Sequence, residues 1–140
     1  MNVDVCVTGG GPSGAITAIE LTRLGFRVGL LHQCDAQVHW PETITPRLSA
    51  LLAQVGLADV ASAALSARVA WKWLRWNGED SGQLRPSDAL IIDRGRFDPM
   101  LRTRAADAGV EITDCRAGRP VMSPEGTWRI PIQQGGVARA

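Results

Sequence analysis

An α/β fold built on a parallel sheet is what the sequence predicts, and three observations carry the prediction. A strand, a helix and a second strand succeed one another within residues 3–32, and such a succession over about 30 residues is a βαβ unit. A glycine cluster, Gly9, Gly10 and Gly11, stands where the first strand gives way to the helix. A further helix–strand succession follows at residues 96–113. A chain of 140 residues is expected to form one domain, and it can bury roughly two-thirds of its unfolded surface.

Each element has a local reason. Val3 to Thr8 is β-rich and ends on the glycines. From Ser13 to Leu24 the apolar residues Ala15, Ile16, Ala18, Ile19 and Leu21 have helical spacing, Glu20 and Arg23 face water, and Gly25 is a natural end. Arg27 to Leu31 is the second strand. Residues 41–57 read as a loop, "PETIT", and a helix from Pro46 to Leu57 with proline in its first turn. Asp59 to Leu65 reads as a short helix with Asp59 as N-cap. Residues 69–92 form a strand and turn excursion: Val69 to Arg75 alternates, "NGEDSGQLRPSD" is rich in turn residues, and Ala89 to Ile92 is apolar. Arg96 to Ala108 is a helix closed by Gly109, Val110 to Thr113 a strand, and residues 117–133 a hairpin turning near Pro124 to Gly126.

Composition narrows the function classes. The formal net charge is +1, which suggests no nucleic acid and no acidic membrane as a bulk partner. Cys6, Cys34 and Cys115 lie far apart, with no metal-ligand spacing, and read as reduced residues of a cytoplasmic protein. Asp4 interrupts any N-terminal apolar run, so no signal peptide is expected. No apolar stretch approaches the roughly 20 residues of a membrane span, and no metal site is expected.

The glycines carry the chemistry. Gly9, Gly11 and Gly14 form G-x-G-x-x-G between a strand and a helix, and Pro12 and Ser13 complete the turn. The first glycine permits the tight turn, the second lets a pyrophosphate approach the backbone, and the third allows close helix–strand packing. The helix N-terminus adds free N–H groups and the positive end of its dipole. This predicts a Rossmann-like FAD/NAD(P)-binding domain. Where such a unit usually ends its second strand on an acid for the ribose, this chain has His32. A neutral imidazole can still make one hydrogen bond to the ribose, and Gln33 or Asp35 is placed to supply an acceptor. No Lys or Arg directly follows His32 to receive a 2′-phosphate. The alternative is a surface histidine at a strand end.

Three segments then resemble the FAD-dependent monooxygenases of the p-hydroxybenzoate hydroxylase fold. They are "GGGPSGAITAIELTRLGFRVGLLH", "PETITPRLSALLAQVGL" and "DRGRFDPMLRTRAADAGVEI", in matching order. Within that group the chain looks most like the branch of flavin-dependent halogenases, geranylgeranyl-reductase-like proteins and flavoproteins that mature peptidyl quinone cofactors. The resemblance implies FAD as cofactor. It implies a small-molecule or peptidyl substrate, with NAD(P)H or a flavin reductase as electron donor. Glu42 and Thr43 would lie near the inner part of the flavin, and Arg94 near the pyrophosphate or ribityl chain. Each has a plainer reading: Glu42 and Thr43 as a cap for the helix at Pro46, Arg94 as an exposed helix-start charge. Phe97, Leu101 and Ala105 read as core. Pro41 stands where the branch usually has glycine.

The resemblance reaches only the N-terminal portion of such enzymes, so the domain is expected to be incomplete at its C-terminus, marginally stable alone and weak in FAD binding. No catalytic residue is assigned, and His39 reads as a loop histidine. Trp71 and Trp73 share a strand face, reading as core packing, with an aromatic substrate surface as the alternative. The functional expectation is an FAD-dependent oxidoreductase, monooxygenase- or halogenase-like. The rivals are a non-catalytic nucleotide-binding remnant or partner-binding fragment, and an NAD(P)-linked reductase.

Overall fold

The computed structural model describes residues 1–33, 40–75 and 82–134. Cys34, Asp35, His39 and Trp76 lie outside the described residues. The chain divides into two compact units, one of Met1–Val38 with Asp98–Ala140, the other His39–Phe97.

In the first unit, β1 (Val5–Thr8), β2 (Val28–His32) and β8 (Glu111–Ala117) form a parallel sheet in the order β1-β2-β8, and β11 (Ile132–Gln134) adds to β8 antiparallel. Strand β2 is central, and its Val28, Leu30 and Leu31 are buried. That is why "VGLL" is a continuous apolar run rather than an alternating one. Helix α1 (Pro12–Arg23) buries Ala15, Ala18 and Ile19. Small residues at two of these positions let the helix axis approach the sheet closely. The helix ends in a Schellman turn: Phe26 N–H donates to Leu21 O at 3.2 Å and Gly25 N–H to Thr22 O at 2.9 Å. Gly25 takes φ +94 there, the left-handed conformation that glycine adopts without strain. Helix α4 (Arg94–Asp107) closes in the same way at Gly109. At the sheet entrance Asp4 accepts from the Arg27 backbone N–H at 2.9 Å and from its guanidinium at 2.6 Å. Arg27 holds the Asp4 carboxyl below its ordinary value. Its contribution is therefore present above the unfolded-state pKa and lost as pH falls through the folded one.

The C-terminal hairpin pairs β9 (Val121–Met122) with β10 (Trp128–Arg129). Its turn spans Pro124 to Gly126, as the sequence suggests, and Ser123 N–H donates to Thr127 O at 2.8 Å.

In the second unit, β3 (Pro41–Ile44), β7 (Leu90–Asp93) and β4 (Leu65–Arg68) form an antiparallel sheet in the order β3-β7-β4. The segment expected as a loop is therefore a strand: Glu42 and Thr43 pair with Ile92 and Ile91. Glu42 and Thr43 do not cap the following helix. Thr45 caps α2 (Pro46–Gln54), its hydroxyl accepting from Leu48 N–H at 3.3 Å. Thr45→Ala should lower stability by about 0.5–2 kcal/mol, read as a shift in the urea midpoint without a change in slope. Helix α3 (Ala58–Ala63) starts too early for Asp59 to be its cap: Leu57 is the N-cap and Asp59 lies in the first turn. Asp93 Oδ1 accepts from Gly95 N–H at 2.8 Å at the start of α4.

The strand expected at Val69–Arg75 forms in shortened form as β5 (Trp71–Leu74), after β4 has ended at Arg68, and it pairs with β6 (Gln83–Pro86) as a two-stranded ribbon. This overturns the core reading of the tryptophans, since Trp71 is 58% and Trp73 63% exposed. Alternation showed that they share a face, but not whether anything packs on it. The Trp73 indole fills the space that a side chain at Gly82 would need. By contrast Phe97, Leu101 and Ala105 are buried as expected.

Candidate dinucleotide-binding site

The cradle follows from β1 and α1. Strand β1 ends at Thr8, and Gly9 turns the chain with φ +101, a conformation side chains rarely adopt. Gly9 N–H donates to Leu31 O of β2 at 2.8 Å, anchoring the turn to the central strand. Gly11 is the N-cap of α1, with φ −75 and ψ −177. Any residue can adopt that conformation, so the backbone alone does not require glycine at Gly11. Pro12 is the first helical residue; it has no N–H to leave unpaired. Ser13 lies on the exposed side of the first turn. The third glycine has a clear packing reason: a Cβ at Gly14 would collide with the carbonyl oxygen of Gly9. The first turn of α1 leaves its N–H groups without intrahelical acceptors, and it carries no acidic residue to compete for an anion.

His32 ends β2 and is half-buried. Its side chain lies against Gly10, where an added Cβ would come within 2.7 Å of His32 Cβ and Cγ. Gly10, outside the three-glycine motif, is thus also a position without room for a side chain. Gln33 follows on the surface. Opposite His32 in the parallel register stands Asp114 of β8, an acid at the strand ends that the linear sequence does not reveal. A second residue the sequence reading missed is Arg102 of α4, whose Nη1 donates to Gly10 O at 3.1 Å. No spacing rule connects residues this far apart in sequence.

Glu42, Thr43 and Arg94 belong to the second unit. Glu42 forms an ion pair with the Arg94 guanidinium, and Arg94 N–H donates to Trp40 O at 3.0 Å. Arg94 is therefore more than a loose helix-start charge: it is tied to Trp40 and to Glu42 of β3. Among the described residues no group of His, Cys, Asp and Glu is placed to hold a metal ion. Burial pushes the Cys115 thiol up, and the Cys6 thiol is raised by burial first and then by Cys115, so neither is primed as a nucleophile. Among the described residues no helix is long and apolar enough to cross a membrane.

A parallel sheet whose first strand runs through a glycine turn into a helix N-terminus defines a dinucleotide-binding α/β protein. The family model described as "FAD binding domain" matches residues 2–119, and the chain belongs to that family. FAD is its cofactor. The chain is similar to the solved peptidyl tryptophan dihydroxylase QhpG, at 28% identity and a TM-score of 0.67, covering 92% of this chain and 30% of that one. The flavin-dependent halogenase CmlS is 17% identical with a TM-score of 0.78, over 98% of this chain and 27% of that one. A myxobacterial FAD-dependent halogenase, CndH, is 23% identical with a TM-score of 0.72, over 91% of this chain and 35% of that one. The chain thus spans about a third of the length of these structures. No curated protein matches the sequence.

Proposed function

We propose that this chain grips the ADP half of FAD in an FAD-dependent oxidoreductase, of monooxygenase or halogenase type, acting on a small-molecule or peptidyl substrate. The observation that carries the reading is the cradle: a glycine turn anchored to β2, opening onto a helix start with unpaired donors and no acid. In this reading the Gly11, Ser13 and Gly14 N–H groups hold the pyrophosphate, Pro12 sets the helix start, and His32 with Gln33 faces the ribose. Glu42, Thr43 and Arg94, the last paired with Glu42, are assigned to the cofactor on family resemblance. The isoalloxazine supplies the redox chemistry when bound. The likeness to a peptidyl tryptophan dihydroxylase supports a peptidyl substrate.

The test is anaerobic titration of the FAD-loaded chain with NADH, NADPH or reduced FMN, followed by admission of air. Loss and return of the flavin's visible absorption supports the oxidoreductase reading. A bound flavin that no donor reduces favours the non-catalytic reading, and binding of NADH without any flavin favours the nicotinamide-linked one.

His32 gives a narrower check. His32→Glu should preserve or tighten FAD binding, by at most about 1–3 kcal/mol for a charge-assisted hydrogen bond. His32→Ala should weaken it and open a gap over Gly10. Unchanged affinity in both variants, read by fluorescence quenching, places the ribose contact elsewhere.

A further inference from the structure

We infer that Arg102 is a positioning residue for the pyrophosphate, acting through the peptide group that joins Gly10 to Gly11; the inference rests on the assignment of the cradle to FAD made above. The contact is specific. Arg102 Nη1 donates to the Gly10 carbonyl oxygen at 3.1 Å, in a half-buried setting, from a helix far along the chain. Arg102 follows the fully buried Leu101, so the α4 backbone that carries it is fixed by core packing.

The carbonyl of Gly10 and the N–H of Gly11 belong to one planar peptide unit. A cationic donor on that oxygen draws electron density from the nitrogen, and coupled hydrogen bonds strengthen one another. The Gly11 N–H thereby becomes a stronger donor at the point where the motif brings an anion closest to the backbone. The same bond sets the plane of the peptide. Between Gly9 and Gly11 no side chain restricts the backbone, and glycine peptides reorient easily. Two groups limit that freedom here: the His32 ring, lying where a Gly10 side chain would be, and the Arg102 guanidinium on the Gly10 carbonyl. Arg102 also places a positive charge behind the cradle, adding to the field of the α1 N-terminus.

The experiment compares the wild-type chain, Arg102→Met and Arg102→Lys by NMR titration with ADP and, separately, with adenosine, alongside the thermal midpoint of each ligand-free protein. Arg102→Met keeps the aliphatic stem and should lose about ten- to a hundredfold in ADP affinity with adenosine affinity unchanged. Arg102→Lys should recover part of the loss, since it keeps the charge without the planar fork. A selective loss for the phosphate-bearing ligand is what a merely structural residue would not produce. Equal ADP affinity in wild type and Met variant overturns the inference, as does an equal fall for both ligands. Should the Met variant not fold, the ratio of ADP to adenosine affinity in the Lys variant decides: below wild type supports the inference, equal to wild type overturns it. Absence of ADP binding in the wild type overturns the cradle assignment itself and the inference with it, so the two failures are read apart.

Discussion

Gly14→Ala is expected to damage both fold and nucleotide binding. The added methyl would meet the carbonyl oxygen of Gly9, a backbone atom that cannot swing aside as a flexible side chain can. Gly9 is itself fixed by its N–H bond to Leu31 O and by its φ of +101. Relief therefore requires α1 to move off β1 or the turn to open. Overpacking of this kind costs about 1–3 kcal/mol, occasionally more. A lowered thermal midpoint together with loss of FAD binding is the expected pair of results. A variant as stable as wild type would show that the helix–turn approach is looser than described.

Gly11→Val separates binding from folding. The N-cap position has φ −75 and ψ −177, which valine adopts readily, so the thermal midpoint should move little. The branched side chain would occupy the approach of the pyrophosphate, and FAD affinity should fall at least about a hundredfold, or about 2.7 kcal/mol. Titration by fluorescence quenching checks it. Equal affinities would mean that the cradle is only a turn. Together the two variants separate Gly14, where packing and binding fail together, from Gly11, where binding alone fails.

Much of this was legible in the sequence because the determinants are local. The glycine spacing, the proline at α1's first position and the glycines closing α1 and α4 each act within a few residues, and the structure forms the elements they predict. The central strand was legible because burial on both faces leaves an unbroken apolar run. What was not legible depends on partners distant in sequence. "PETI" reads as a loop until β7 is available to pair with it. Trp71 and Trp73 alternate correctly, yet nothing in their spacing says that β5 belongs to a two-stranded ribbon. Thr45 rather than Glu42 or Thr43 caps α2 because the cap must directly precede Pro46, and the strand has already used the other two. In the candidate site, the motif glycines and His32 are singled out by spacing alone. Arg102 and Asp114 emerge only when α4 and β8 are in place, and the crowding at Gly10 only when β2 brings His32 against it.

In the proposed site the ADP half of FAD is held by the turn from Gly9 to Gly14. The most direct test of that placement is an amide NMR titration of the 15N-labelled chain with ADP. Binding in the cradle should give saturable shifts centred on the Gly11, Ser13 and Gly14 N–H groups, with His32 responding at the end of β2, and these should disappear in Gly11→Val. Saturable shifts centred elsewhere, or shifts at the cradle that survive Gly11→Val unchanged, would contradict it.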